Sequence, residues 1–288
     1  MKNRKTIAIL VILCLASTLA SAGVIRIMLK PIDVKVEESG TVKVDSQLVN
    51  MGDEAAENVR VILILDDEFT SETFVVGTLP INSPVNISFD VTIPEGLLPG
   101  IYPAVVVTDY TDLNNYPFSS VTPGVIRYKN SSYPLITATM KDVSVEDGSK
   151  VTLPLNVRNI DEKSHNLKVK LYLPREIKSE TNEIEVTING KDEQTIGFEV
   201  SPFGALPQSS YLTFVSIEYE DDGEHFMVYP SKPGLVSIGG GVSEQQARKV
   251  VADDDKTKLG ESWAVKLIPY ALILFSIAVI YVTFRKGD

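Results

Sequence analysis

Three residue types that commonly build catalytic and metal centres are scarce in this chain of 288 residues, which has one cysteine, two histidines and one tryptophan. The single cysteine, Cys14, sits in an apolar run near the N-terminus, so no intramolecular disulfide can form and a disulfide-rich extracellular scaffold is excluded. His165 and His225 have no cysteine to join them, so a zinc site would need one of them plus carboxylates; both are expected to be ordinary surface histidines. There is no Gly-x-Ser-x-Gly elbow, no phosphate-cradling glycine loop and no His-Glu-x-x-His pair, which removes the usual parts of nucleophilic and metal-dependent hydrolysis. Two carboxylates can converge from distant loops without any motif, so a carboxylate-only glycoside hydrolase stays as a minor alternative. No catalytic residue, cofactor or metal ligand is assigned, and the chain is expected not to be an enzyme.

Positive charge is also in deficit, with 27 Lys and Arg against 38 Asp and Glu, a net charge of −11. Six of the cations lie at the two ends, so the middle is more acidic still. Such a surface repels nucleic acid and anionic headgroups. The acids are spread through both halves, as on a solvated exterior. Asp66, Asp67 and Glu68, or Asp221 and Asp222, could gather a hard cation between strands, but they are expected to be solvated turns.

Two long apolar runs frame that acidic middle. Lys2, Arg4 and Lys5 precede an apolar stretch that ends in Ala20-Ser21-Ala22, so residues 1–22 are predicted to be a signal peptide; an uncleaved anchor over Thr6 to Ile25 is the rival reading. Residues 263–284 are predicted to be a transmembrane helix, because 21 residues from Ala264 at ~1.5 Å each span ~31 Å, about the hydrocarbon thickness. Trp263 suits the membrane boundary and Lys266 can snorkel to the headgroups. Arg285 and Lys286, in the 285–288 tail, stay on the cytoplasmic side, and the middle is then outside. Residues 239–262, opening on three glycines and then mixed in charge, read as a stalk extending on the order of 25 to 30 Å.

The middle repeats itself. "VEESGTVKVDSQLVNMGDEAAENVRVILIL" from Val36 matches "VEDGSKVTLPLNVRNIDEKSHNLKVKLYL" from Val145, setting Asn50 on Asn159 and Leu65 on Leu173. The shift persists at "ISFDV" with "IGFEV", at Tyr102 with Tyr211, and at "VVVTDY" with "FVSIEY". Within each copy, Val42, Val44, Ser46 and Leu48, like Leu167, Val169, Leu171 and Leu173, alternate with polar neighbours at the β period. Turn-forming "NMGDEAAEN", "PEGLLPG" and "EDDGE" separate such strands, and no amphipathic helix intervenes to make a parallel crossover. The expected fold is all-β, two tandem immunoglobulin-like antiparallel sandwiches over residues 23–130 and 131–238, with about seven short strands each.

Tyr110, Tyr116, Phe118, Tyr128 and Tyr133 form the densest aromatic stretch, at the boundary between the two copies. They are expected to fill the seam, or, if exposed together, to be a contact patch. Asn86 and Asn130 begin glycosylation sequons. No tryptophan precedes Trp263, so a sugar-binding surface would lack its favoured platform.

The stretch "LVNMGDEAAENVRVILILDD" with "VGTLPINSPVNISFDVTIPEGLLPGIYPAVVVTDYTDLNN" resembles the CARDB domain, and the second copy is similar to the sandwich associated with NPCBM domains and to archaeal S-layer-like envelope proteins. The resemblance covers nearly all of residues 31–238; the second copy departs where Met51-Gly52 becomes Ile160-Asp161 and Pro99-Gly100 becomes Pro207-Gln208. It implies a surface-displayed interaction or spacer module of the cell envelope, anchored in the bilayer and engaging a protein or glycan partner. An accessory subunit of an export or glycosylation complex is the alternative.

Overall fold

The computed structural model describes residues 24–65, 69, 73–129 and 132–239. The chain divides after Gly240, and all of the described residues belong to the larger unit. The expected signal peptide, most of the stalk, the membrane span with Trp263, Lys266, Arg285 and Lys286, the Asp66–Glu68 acids and Asn130 lie outside the described residues. Among those that are described, no helix is long and apolar enough to cross a membrane.

The period-2 patterns fold as strands. The first half contains β1 (Ile27–Leu29), β2 (Asp33–Val36), β3 (Gly40–Asn50), β4 (Ala56–Leu65), β5 (Thr73–Leu79), β6 (Val85–Ile93), β7 (Gly100–Thr111), β8 (Pro117–Thr122) and β9 (Val125–Tyr128). The second contains β10 (Ile136–Met140), β11 (Val143–Val145), β12 (Val151–Asn159), β13 (His165–Tyr172), β14 (Ile177–Ser179), β15 (Glu183–Ile188), β16 (Glu193–Pro202), β17 (Ser210–Asp221), β18 (Glu224–Val228) and β19 (Gly234–Ile238). Each half thus has more strands than the expected seven. The shortest are β1, β2, β9, β11 and β14, which span three or four residues, too few to show a period.

In the first half a β1-β3-β6 sheet faces β5-β4-β7, and in the second a β10-β12-β16-β14 sheet faces the sheet carrying β13 and β17. The residues alternating inward fill two separate cores. Val44, Leu48, Phe89 and Val91 meet Val61, Leu63, Tyr102 and Ala104 in the first, and Leu153, Leu155, Phe198 and Val200 meet Leu167, Val169, Val215 and Ile217 in the second. Burying one such aliphatic side chain is worth about 1.5–3 kcal/mol, so two cores of this size carry the architecture.

The repeat has a local cause. Asn50 and Asn159 are buried at the ends of β3 and β12 and pin the turns that follow. Asn50 Nδ2 donates to Glu54 O at 2.7 Å while its Oδ1 accepts from Gly52 N at 3.0 Å. Asn159 does the same with Lys163 O at 2.7 Å and Asp161 N at 2.8 Å. An asparagine both donates and accepts in one plane, which is why it recurs where the chain must reverse while buried. Tyr102 OH donates to Leu98 O at 2.8 Å, and Tyr211 OH accepts from Leu206 N at 3.0 Å, so the matched tyrosines both tie their strand to the loop before it.

The two halves share one sheet. Seven strands hydrogen-bond in a path that runs β11-β19-β17-β18-β7-β4-β5, with β2, β8, β9, β13 and β15 paired off it, and the path crosses between the halves where β18 pairs parallel with β7 at His225 and Gly100. His225 N donates to Pro99 O at 2.9 Å, and a Cβ on Gly100 would lie 2.1 Å from His225 O, so only glycine permits this approach.

Candidate functional site

A third, smaller apolar cluster joins the halves: Val105 and Val121 of the first pack with Tyr172 of the second, flanked by Ile64, Val107, Phe214 and Tyr229. Polar contacts within this junction are satisfied across it. Buried Glu176 accepts from Ser119 N at 2.8 Å and from Ser119 Oγ at 3.0 Å. Burial pushes the Glu176 carboxyl above its ordinary value, against the opposing pull of those donors. Tyr229 OH donates to Gly124 O at 2.8 Å, and its phenol is raised well above the ordinary range by burial.

The aromatic stretch noted in the sequence is split by the fold. Tyr110 and Phe118 stack with centroids 5.6 Å apart, and Tyr116 meets Phe118 at 5.1 Å. These three are half-buried beside the second half, to which Tyr116 OH donates at Gly204 O over 2.8 Å. Burial, with the Glu176 charge behind it, pushes the Tyr110 phenol up to about 12. Tyr128 instead belongs to the first core, and Tyr133 stands 91% exposed. Asn86 lies exposed on β6, its side chain accepting from Gln47 Nε2 at 3.0 Å.

Next to the junction runs a groove of about 880 Å³, walled by the Pro94–Leu98 loop and Tyr102 on one side and by β13, β17 and β18 on the other. Its ionisable lining is Glu95, Lys168, Glu218, Glu220, Asp221 and the two histidines. The expectation of surface histidines is corrected here, since His165 and His225 are both buried and line one groove. His225 stacks on Tyr102 with ring centroids 4.2 Å apart and planes 3° from parallel. Its Nε2 lies 3.5 Å from Glu218 Oε2, and Glu218 Oε1 accepts from Ser216 Oγ at 2.9 Å. His165 packs on Tyr219 and hydrogen-bonds Asp161 at 2.9 Å, which holds the Asp161 carboxyl below the usual range. Asp221 and Asp222, weighed above as a cation loop, both bind Lys163 Nζ, at 3.1 and 3.0 Å. Sequence reasoning missed the groove because His225 and Glu218 belong to one half while Tyr102 and the Pro94–Leu98 loop belong to the other, and no spacing links them.

No protein-family model and no curated protein matches the chain. Among solved structures it is similar to a protein of unknown function from Porphyromonas gingivalis W83, at 13% identity and a TM-score of 0.30 over 73% of this chain and 99% of that one. The YadV chaperone matches at 11% and 0.27, over 70% and 98% of the two chains. Trypsin-activated alpha-2-macroglobulin from Escherichia coli matches at 8% and 0.29, over 75% of this chain but 18% of that one. At those scores none of them bears on what this chain does.

Proposed function

We propose that this is a non-enzymatic, membrane-anchored protein of the cell envelope whose two immunoglobulin-like sandwiches, of the CARDB and NPCBM-associated kind, are displayed outside the cell as a stiff spacer and interaction module. The observation that carries this reading is the junction. A shared sheet, an apolar cluster and the buried Glu176 and Tyr229 contacts join the repeats without a hinge, as suits a protein that must hold a surface at a fixed distance. The acidic surface and the apolar segments at each end support placement outside the bilayer, anchored by residues 263–284.

The test is limited trypsin digestion of cells whose outer wall has been removed. Arg248 and Lys249 in the proposed stalk are the expected cut sites, releasing a folded fragment that carries both sandwiches. Protection of that fragment until the membrane is lysed overturns the reading. Purification in mild detergent separates the remaining roles: a stoichiometric membrane partner favours the accessory subunit, and its absence favours the spacer.

A further inference from the structure

In the hairpin of β17 and β18, Glu220 stands opposite His225 and Glu218 opposite Met227. Opposed residues of an antiparallel pair project to one face, as do residues two apart on a strand. Glu218, Glu220 and His225 therefore share the face that lines the groove. Two of them are deeply buried, with Glu218 3% and His225 9% exposed.

Glu218 Oε2 and His225 Nε2 face each other across 3.5 Å, and neither has a hydrogen-bond partner. Buried polar atoms are nearly always bonded, so a carboxylate oxygen and an imidazole nitrogen that lie 3.5 Å apart with no hydrogen bond call for a third party. The spacing fits a metal, since two ligand atoms at ~2.0–2.1 Å from a tetrahedral ion lie roughly 3.4 Å apart.

We propose that Glu218 Oε2 and His225 Nε2, joined by Glu220 swinging in from the exposed rim and by water from the groove, bind one divalent transition-metal ion. An imidazole with carboxylates suits zinc and disfavours calcium or magnesium, which take all-oxygen shells. The donor atoms of Asp161, His165 and Asp221 also lie within 4.8 Å of one another, but these residues already have partners, His165 with Asp161 and Asp221 with Lys163. An ion there must displace existing contacts, whereas at Glu218 and His225 it meets two open donors. All three ligands come from the β17–β18 hairpin, and the ion would fix the ring of His225, the residue that stacks on Tyr102 and at which β18 pairs with β7. The proposal holds wherever in the cell the protein resides.

The experiment titrates zinc sulfate into the untagged full chain, purified in mild detergent and stripped with a chelator, by calorimetry, with cobalt(II) absorption as a second readout. One ion per chain, a cobalt spectrum of tetrahedral intensity and a higher unfolding temperature with zinc are expected. Glu218→Gln and His225→Ala each weaken binding about 100-fold or more, and Glu220→Gln about 10-fold. His225→Ala also removes the stack on Tyr102, so Glu218→Gln, which keeps its shape and the Ser216 bond, is the deciding variant. Absence of binding by the wild-type chain overturns the proposal and leaves a buried histidine–carboxylate pair. Binding that survives Glu218→Gln but is lost in His165→Ala also overturns it, moving the ion to the Asp161 cluster.

Discussion

Ser119 and Glu176, 57 residues apart, are joined across the two halves by two hydrogen bonds to one buried carboxylate, from the Ser119 amide at 2.8 Å and its hydroxyl at 3.0 Å. Removing the acceptor strands both donors at the junction. Glu176→Ala is expected to cost about 2–3 kcal/mol, read from the denaturant midpoint, and Glu176→Gln less.

The same residue sets a pH dependence. Because burial raises its folded pKa above the ordinary value of 4.5, its contribution is present in full below that value and is lost as pH rises through the raised one. The stability difference between the wild type and Glu176→Gln, in which the side chain is always neutral, should move against the wild type from pH 4 to pH 7. A difference that is flat or grows in the wild type's favour would show that the hydrogen-bond donors outweigh burial.

Asn50→Ala and Asn159→Ala remove equivalent buried side chains that both donate and accept at their turns. Each should cost about 2–3 kcal/mol. Unequal losses, measured by chemical denaturation, would mean that the two turns are not physically equivalent despite their matching bonds.

Gly100→Ala drives a Cβ, whose position the backbone fixes, into the His225 backbone carbonyl, and neither can rotate away. The expected cost is about 1–3 kcal/mol, concentrated at the junction. Calorimetry should then resolve two unfolding transitions where the wild type shows one; a single transition merely shifted in temperature would place the coupling elsewhere in the junction.

Alkaline titration followed by tyrosine absorbance should show Tyr110 ionising only at about 12, and Tyr229 only as the protein unfolds. With both phenols raised, their contribution is present in full below the ordinary tyrosine value and is lost as pH rises from there through the raised ones. Tyr229→Phe removes one of the two donors to the Gly124 carbonyl, leaving the Ala104 amide at 3.0 Å, and should cost about 1 kcal/mol.

Alternation along β3 and β13 was legible because one buried and one wet face impose a period of two, and the turn-forming "EDDGE" does make the β17–β18 hairpin, with Gly223 at a φ of 79°. The shift that matched Asn50 with Asn159 was legible because both residues meet the same local need. The short strands β1, β2 and β9 left no period to find. The groove stayed hidden because its walls come from opposite halves of the chain.

Composition and periodicity by themselves determined an all-β chain with an acidic surface and a repeated unit, since those properties depend on residues close together along the strand. Only the tertiary structure decided that the repeats share a sheet and that His225 meets both Tyr102 and Glu218. Those contacts depend on how two cores dock, and docking is selected by shape and by satisfied polar groups rather than by any pattern along the chain.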